Sequence, residues 1–333
     1  MLRVDLRGRE LNRLRVADGA DALWEAALSL HLLQNQHVPP AFAPWRREVR
    51  SALERAGLSS AVRELMLLCP SAEYFPDFLT PGRGELDLDI GVDRLLSTPR
   101  RRLAADLTRL YARRRGPVPA TVRRLSEGDA EALRWLGSAL RRYYSVAVAP
   151  YLPAIRAQAG ADRSRRAEAA LTGGAEGLVA SYEEMPGWRC EEGILRTPYP
   201  VSRELQLYGQ TLTLVPGFFC VGTPLALVDD ELPPVLVHPL SPSPGWLVRH
   251  RQGEVTPPVA QLIGTSRARL LELLDRPMTT TGLAGALRMA PSTASRHASV
   301  LREAGLLTSH RHGNRMMHHR TQLGTALLDG PAP

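Results

Sequence analysis

The 333-residue sequence contains no lysine, and all 42 of its basic residues are arginine. This absence excludes protein classes whose chemistry needs a lysine amine, namely P-loop nucleotide hydrolases, pyridoxal-phosphate enzymes and protein kinases. The sequence also lacks Gly-x-Ser-x-Gly, His-Glu-x-x-His and glycine-rich nucleotide-binding patterns. We therefore expect no catalytic residues, no cofactor and no enzyme activity.

Cysteine is scarce. The three cysteines are Cys69, Cys190 and Cys220. They form no Cys-x-x-Cys pair and no disulfide framework, which fits a reducing compartment. The N-terminus has no apolar signal core, and the longest apolar helical stretch, Leu23 to Leu33, is too short to span a bilayer. We expect a cytoplasmic protein with no membrane partner.

Positive charge is concentrated towards the C-terminus. Residues 256–333 hold nine arginines and five histidines against four acidic residues. Such a concentration is typical of a surface that binds phosphate groups. The alternative is a merely soluble basic face.

The same region has the pattern of two short helices followed by a hairpin. The run from Thr279 to Leu287 predicts a first helix, with threonines available to cap it. Pro291 opens a second helix, which Gly305 ends as a left-handed cap. The segments 306–311 and 315–320 predict the two arms of a basic hairpin with its turn at 312–314. This order predicts a winged helix-turn-helix.

The second helix has two chemically different faces. Ala294, Ala298 and Leu301 recur at the spacing of a buried stripe. The other face is small, hydroxylated and basic, which suits entry into the major groove of double-stranded DNA. The predicted DNA-binding residues on the helix and the wing are Ser292, Thr293, Ser295, Arg296, His297, Ser299, Arg302, Arg311, Asn314 and Arg315.

Three runs of this region, 278–284, 291–297 and 301–307, resemble the ArsR (arsenical-resistance repressor) family of bacterial regulators in the same order. The resemblance implies a DNA-binding homodimer whose second helix reads the major groove and whose wing lies along the backbone. The chain departs from the family at Ala290, where a capping serine is usual, and at Gly282 and Gly285 in the first helix.

Metal binding is a second possibility for the wing, because His310, His312, His318 and His319 lie close together in the sequence. Metal sensors of the ArsR type carry cysteine ligands on the first helix of the helix-turn-helix motif, or Asp, His and Glu ligands on the last helix. The corresponding segments here, 281–287 and 321–328, contain no such ligand. We therefore expect no metal site, and interpret the wing histidines as DNA contacts or surface groups.

The N-terminal part predicts an α+β fold, mainly helical with a small antiparallel sheet. Asp21 is expected to cap an amphipathic helix, and one helix is expected from Val92 to Arg115. Arg203–Tyr208 and Thr211–Val215 predict paired strands around a Gly209-Gln210 turn. A linker rich in proline and glycine follows from Ser241, so the predicted domains are 1–250 and 256–333.

The N-terminal domain has a resemblance of its own. Four segments, Leu23–Glu25, Leu30–Leu33, Tyr74–Pro81 and Leu214–Cys220, resemble a domain of unknown function often fused ahead of ArsR-type winged helices, notably in actinobacteria. The resemblance implies architecture and carries no chemistry. Aromatic side chains of this domain could line a pocket for a small organic effector or form ordinary core. They are Trp24, Trp45, Tyr74, Phe75, Phe78, Trp135, Tyr143 and Tyr144.

These observations predict a sequence-specific DNA-binding transcriptional regulator, a homodimeric repressor of ArsR type. Its N-terminal domain is expected to modulate DNA binding, and a small-molecule effector is one candidate ligand of that domain. The alternative is an enzyme or protein-interaction domain fused to a DNA-binding module. A polar cleft with paired titratable groups in residues 1–250 would favour the enzyme.

Overall fold

The computed structural model describes residues 1–70, 76–82, 84–112, 116–227, 232–242, 245–251, 258–274, 277–287, 289–312 and 315–329. The chain divides into two compact units, residues 1–247 and 248–333. Both units mix helices and strands. A bilayer-spanning helix, which needs a long apolar run, is not found among the described residues.

The N-terminal unit is mainly helical. Its helices are α1 (Ala22–Gln34), α2 (Ala43–Arg55), α3 (Ser59–Leu68), α4 (Leu88–Leu96), α5 (Arg100–Tyr111), α6 (Ala120–Ser126), α7 (Ala130–Ala147) and α8 (Leu152–Ala180). Helix α9 (Trp246–Arg251) crosses the boundary between the two units. The predicted helix from Val92 to Arg115 is two helices, α4 and α5. Pro99 precedes the first residue of α5, where its ring fits but cannot continue a preceding helix.

Helix α1 is the centre of this unit. It packs against α2, α3, α4 and α7. It was expected to be amphipathic, but nearly all of its side chains are buried, because neighbours cover it on every side. Asp21 caps it as predicted and accepts hydrogen bonds from the N–H groups of Leu23 and Trp24, both at 3.0 Å. The same carboxylate accepts from Gly84 and Glu85, so it also holds the chain that leads into α4.

Two four-stranded sheets complete the N-terminal unit. Their strands are β1 (Leu2–Asp5), β2 (Leu14–Val16), β3 (Arg189–Glu191), β4 (Ile194–Thr197), β5 (Arg203–Leu205), β6 (Leu212–Gly217), β7 (Leu225–Ala226) and β8 (Val235–Pro239). One sheet has the order β3-β4-β1-β5 and the other β2-β6-β8-β7. Both are mixed, because β1 pairs parallel with β5, and β6 pairs parallel with β2 and β8.

The predicted small antiparallel sheet is therefore wrong. The turn after Leu207 does form, with left-handed backbone at Tyr208 (φ 48°) and Gly209 (φ 78°). However, the strands on its two sides enter different sheets. The reason is the burial of β6, whose six residues are all buried. Such a strand favours hydrogen-bonded partners at both edges and cover on both faces, as parallel strands usually have.

The C-terminal unit contains helices α10 (Pro258–Ile263), α11 (Thr265–Leu273), α12 (Thr280–Ala286), α13 (Pro291–Glu303) and α14 (Gln322–Asp329). Its strands are β9 (Met278–Thr279), β10 (Leu307–His312) and β11 (Arg315–Arg320), in the sheet order β10-β11-β9. Leucines from α11, α12 and α13 form its core, and Leu270, Leu271 and Leu283 are fully buried. The predicted linker segment 252–257 lies outside the described residues.

Candidate nucleic-acid interface

The two predicted helices of the motif are α12 and α13. Thr279 is the N-cap of α12, and its hydroxyl accepts a hydrogen bond from the N–H of Gly282 at 3.0 Å. Ala290 occupies the N-cap position of α13 and provides no side-chain hydrogen bond, as expected from the sequence. The helix ends at Glu303, and Gly305 (φ 72°) follows its C-cap with the predicted left-handed backbone. The N–H of Leu306 then bonds back to the carbonyl of Leu301 at 2.8 Å.

The buried stripe of α13 is confirmed. Ala294, Ala298 and Leu301 have exposed fractions of 0%, 2% and 1%. They hold α13 against α11 and α12. The packing therefore fixes which face of α13 points away from the core.

The predicted DNA-binding residues of α13 lie mainly on its exposed side. The exposed ones are Ser292, Thr293, Ser295, Arg296 and Arg302. His297 and Ser299 are half-buried, so they lie at the margins of this surface. We call these seven residues the helix surface. It carries hydroxyl groups and two arginines, a set of donors and acceptors that can read base edges and phosphates.

The wing is the antiparallel pair of β10 and β11, in register from Leu307–Arg320 to His312–Arg315. Arg311 is exposed on β10. Of Arg315 only the backbone position at the start of β11 is described, and Asn314 lies outside the described residues. The sequence pattern missed β9, which adds a third strand through Met278 and Thr279.

The wing histidines have two different environments. His310 and His319 form an edge-to-face ring pair with centroids 5.8 Å apart, and His310 is exposed. His318 instead is only 4% exposed and bonds to two hydroxyls. Its interpretation as a DNA contact or surface group is therefore wrong. Strand alternation from the buried Leu307 could have identified it, because His318 pairs with Ser309 and so shares the face of Leu307.

Most of the aromatic side chains considered for a pocket form core. Trp24, Trp45, Phe78, Tyr143 and Tyr144 are buried, and Trp135 is partly buried against them. Trp45 and Phe219 are 4.6 Å apart, and Phe218 and Trp246 are 4.9 Å apart, between ring centroids. A cavity of about 10 Å³ lies nearby, lined by Leu23, Ala27, Leu30, Leu65, Leu68, Cys69, Leu79 and Leu140. Space of this size holds about one water molecule, so an organic effector does not fit there. Tyr74 and Phe75 lie outside the described residues.

The N-terminal unit does contain a paired set of titratable groups. The Nε2 atom of His238 lies 2.9 Å from a carboxylate oxygen of Asp162, which also pairs with Arg166 at 3.0 Å. Burial lowers the pKa of His238. Burial alone would raise the pKa of Asp162, but the hydrogen bond to His238 and the positive charges nearby hold it below its ordinary value.

This pair gives no support to the enzyme alternative. The side chains of His238 and Asp162 have exposed fractions of 0% and 3%. A substrate therefore has no access to them in this structure. Their evident role is to join α8 to β8 inside the unit.

Comparison with known proteins agrees with the geometry of the C-terminal unit. Residues 266–309, which run from α11 into β10, match the model of the bacterial regulatory protein, arsR family. The match does not extend into the N-terminal unit. The comparisons with curated proteins and with solved structures gave no match. The C-terminal unit of the chain thus carries a helix-turn-helix domain of the ArsR family of bacterial transcription regulators.

Proposed function

We propose that the protein is a sequence-specific transcriptional repressor that binds double-stranded DNA as a homodimer through its C-terminal unit. The observation that carries this proposal is the helix surface of α13, which stands opposite a buried stripe within an ArsR-type domain. A helix fixed by its core and exposing arginines and hydroxyls can enter the major groove without rearrangement.

The contacts divide by chemistry. Arg296 and the hydroxyls of Ser292, Thr293 and Ser295 supply base readout in this proposal. An arginine can donate two hydrogen bonds to guanine, and small hydroxylated residues allow close approach of the helix. Arg311, Arg315 and His297 hold phosphates in this proposal. The predicted contact set is completed by Ser299, Arg302 and Asn314.

Dimerisation is proposed through α10, α11 and α14. Most of the leucines in α11 serve the unit's own core, since Leu270 and Leu271 are fully buried. By contrast, Leu262 on α10 and Leu323 on α14 are exposed to solvent, with exposed fractions of 74% and 59%. A C2 dimer through this surface would place two recognition helices about one duplex turn, roughly 34 Å, apart.

The N-terminal unit is proposed to modulate DNA binding. An effector can do this only by binding the DNA-competent and DNA-incompetent states with different affinities. Because the nearby core cavity is too small for an organic ligand, such an effector would have to bind elsewhere or open the fold. A partner protein that modulates DNA binding would likewise have to bind the two states with different affinities.

Selection from a random duplex library with the full chain tests the proposal. Wild type should enrich a palindromic sequence, and its affinity for that duplex should exceed its affinity for a scrambled duplex about 10³-fold or more at physiological salt. Arg134→Ala is the control, because Arg134 is an exposed arginine on α7 of the N-terminal unit and belongs neither to the helix surface nor to the helices proposed to dimerise. Failure to enrich any sequence would refute the function.

A further inference from the structure

His318 joins three elements of the winged domain at one buried point. Its Nε2 lies 2.8 Å from the hydroxyl of Thr280, the first residue of α12. Its Nδ1 lies 2.8 Å from the hydroxyl of Ser309 on β10. The backbone of His318 also pairs with Met278 of β9. One side chain on β11 therefore ties the wing to the start of the first helix of the motif.

We infer that His318 is a positioning residue that locks the wing to α12 in its neutral form, and that acidification loosens this lock. The inference rests on the proposed DNA-binding function, because a protein that contacts DNA with a recognition helix and a wing must hold the two at a fixed spacing. Helix α12 packs directly against α13, so the wing, α12 and the helix surface form one connected assembly.

The chemistry of the imidazole decides the direction of the effect. A neutral ring has one N–H donor and one acceptor nitrogen, so one of its two hydroxyl partners donates while the other accepts. A protonated ring has two donors, and the hydroxyl that donated must turn its proton away. Protonation thus breaks the pattern at one side of the link and places a charge inside the domain.

The surroundings oppose that charge. Burial, the guanidinium of Arg302 on α13 and the neighbouring His319 on β11 all lower the pKa of His318. On β10, the residue after Ser309 is His310, another potential cation. The packed segments Met278–Thr279 and Thr280–Ala286 contain no titratable side chain that could compensate. Neutral His318 is therefore the form that the fold favours.

Amide hydrogen exchange on the full chain tests the lock without DNA. After correction for intrinsic exchange rates, a shift from pH 7.5 to 5.5 should speed exchange at 280–283 and 317–319 about three- to tenfold relative to α11. Thr280→Val, which removes one hydroxyl at nearly constant volume, should show the faster exchange already at pH 7.5. Thr280→Ser keeps the hydroxyl and should behave as wild type.

A second readout tests the role in positioning. The ratio of affinities for the library-selected and the scrambled duplex should fall about three- to tenfold in Thr280→Val and stay unchanged in Thr280→Ser. His37→Gln is the control for exchange, because His37 is an exposed histidine of the N-terminal unit and is not among the charges around His318. It should leave the pH response of segments 280–283 and 317–319 intact.

The outcomes separate the two proposals. The lock would be overturned if exchange in the wild type did not change with pH, or if Thr280→Val exchanged at the wild-type rate. This conclusion would hold regardless of the DNA-binding results. Exchange that responds as expected beside unchanged selectivity in Thr280→Val would overturn the positioning role alone. A wild-type chain that enriches no duplex would refute the proposed function, and the positioning role with it, while the exchange data still report the lock.

Discussion

One carboxyl oxygen of Glu25 accepts a hydrogen bond from the backbone N–H of Phe218 at 2.7 Å, although the two residues are 193 positions apart in the sequence. The other oxygen accepts from the N–H of Phe219 at 3.1 Å. This contact links the central helix α1 to the segment that follows β6. Because Glu25 is 2% exposed, the link is made without solvent.

The first prediction concerns the pH dependence of stability. Burial raises the pKa of Glu25 from its ordinary value of 4.5 to about 8. The folded protein therefore binds a proton that the unfolded chain releases between these values. The stability that Glu25 contributes is fully present below pH 4.5 and is lost as the pH rises towards 8, by on the order of 5 kcal/mol if no other group compensates.

Denaturant titrations followed by tryptophan fluorescence at several pH values between 5 and 8 measure this loss. Glu25→Gln cannot ionise, so the decline in unfolding free energy across this window should become much shallower. Asp21, whose pKa is also raised by burial, contributes to the decline that remains. It should also lower stability at pH 5, since the amide group cannot accept both N–H bonds. Glu168→Gln, an exposed carboxylate on α8, is the control and should keep the wild-type slope. A wild-type slope in Glu25→Gln would contradict the assignment.

The second prediction concerns the start of α13. Ala290 already has the extended backbone of an N-cap (φ −65°, ψ 144°) but makes no capping bond. Ala290→Ser should supply an acceptor for a free N–H group and stabilise the winged domain by ~1 kcal/mol. Thermal unfolding of Ala290→Ser measures this gain in stability. Ala304→Ser, at the other end of the same helix, is the control. Equal stability of the two variants would show that water satisfies those N–H groups as well.

Local patterns of the C-terminal unit were predictable from the sequence, because helix periodicity and caps depend on neighbouring residues. The stripe of Ala294, Ala298 and Leu301 and the end at Gly305 follow from spacing and backbone conformation alone. Strand β9 was not predictable, since two residues have no periodicity and exist as a strand only through pairing with β11.

Contacts between residues far apart in the sequence explain the other differences between the predicted and the observed fold. The pairing of β5 with β1 joins residues about two hundred positions apart, and nothing near Arg203 in the sequence indicates that partner. Similarly, the glycine-rich run 172–174 does not end α8, which kinks at Gly174 (φ 63°) and continues to Ala180. Glycine permits the left-handed backbone there, but the packing of Leu178 and Val179 on the sheets returns the chain to helix.

The third prediction separates base readout from phosphate contact. Arg296→Ala should weaken binding to the selected duplex by ~1–3 kcal/mol and relax the preference at one base pair, with little effect on a scrambled duplex. Arg311→Ala should weaken both duplexes alike and reduce the slope of log affinity against log salt by about one unit. Fluorescence anisotropy titrations at several salt concentrations measure both. Wild-type affinity of both variants across the salt series would show that the assigned surface is wrong.

The fourth prediction concerns assembly. Leu262 and Leu323 are exposed on α10 and α14, and an arginine at either position would bring two like charges together across a C2 interface. Leu323→Arg should shift the protein from dimer to monomer at micromolar concentration. Because one recognition helix then binds one half-site, affinity for the palindromic duplex should fall while affinity for a single half-site stays nearly unchanged.

A matched control for this variant is available in the other unit. Leu171 on α8 is 88% exposed, so Leu171→Arg introduces the same charge at another exposed leucine and should leave the dimer intact. Light scattering and sedimentation report the mass, and titration against duplexes with one or two half-sites reports the stoichiometry. A monomeric wild type that binds one chain per palindrome would exclude the dimer, since then neither α10 nor α14 would join two recognition helices.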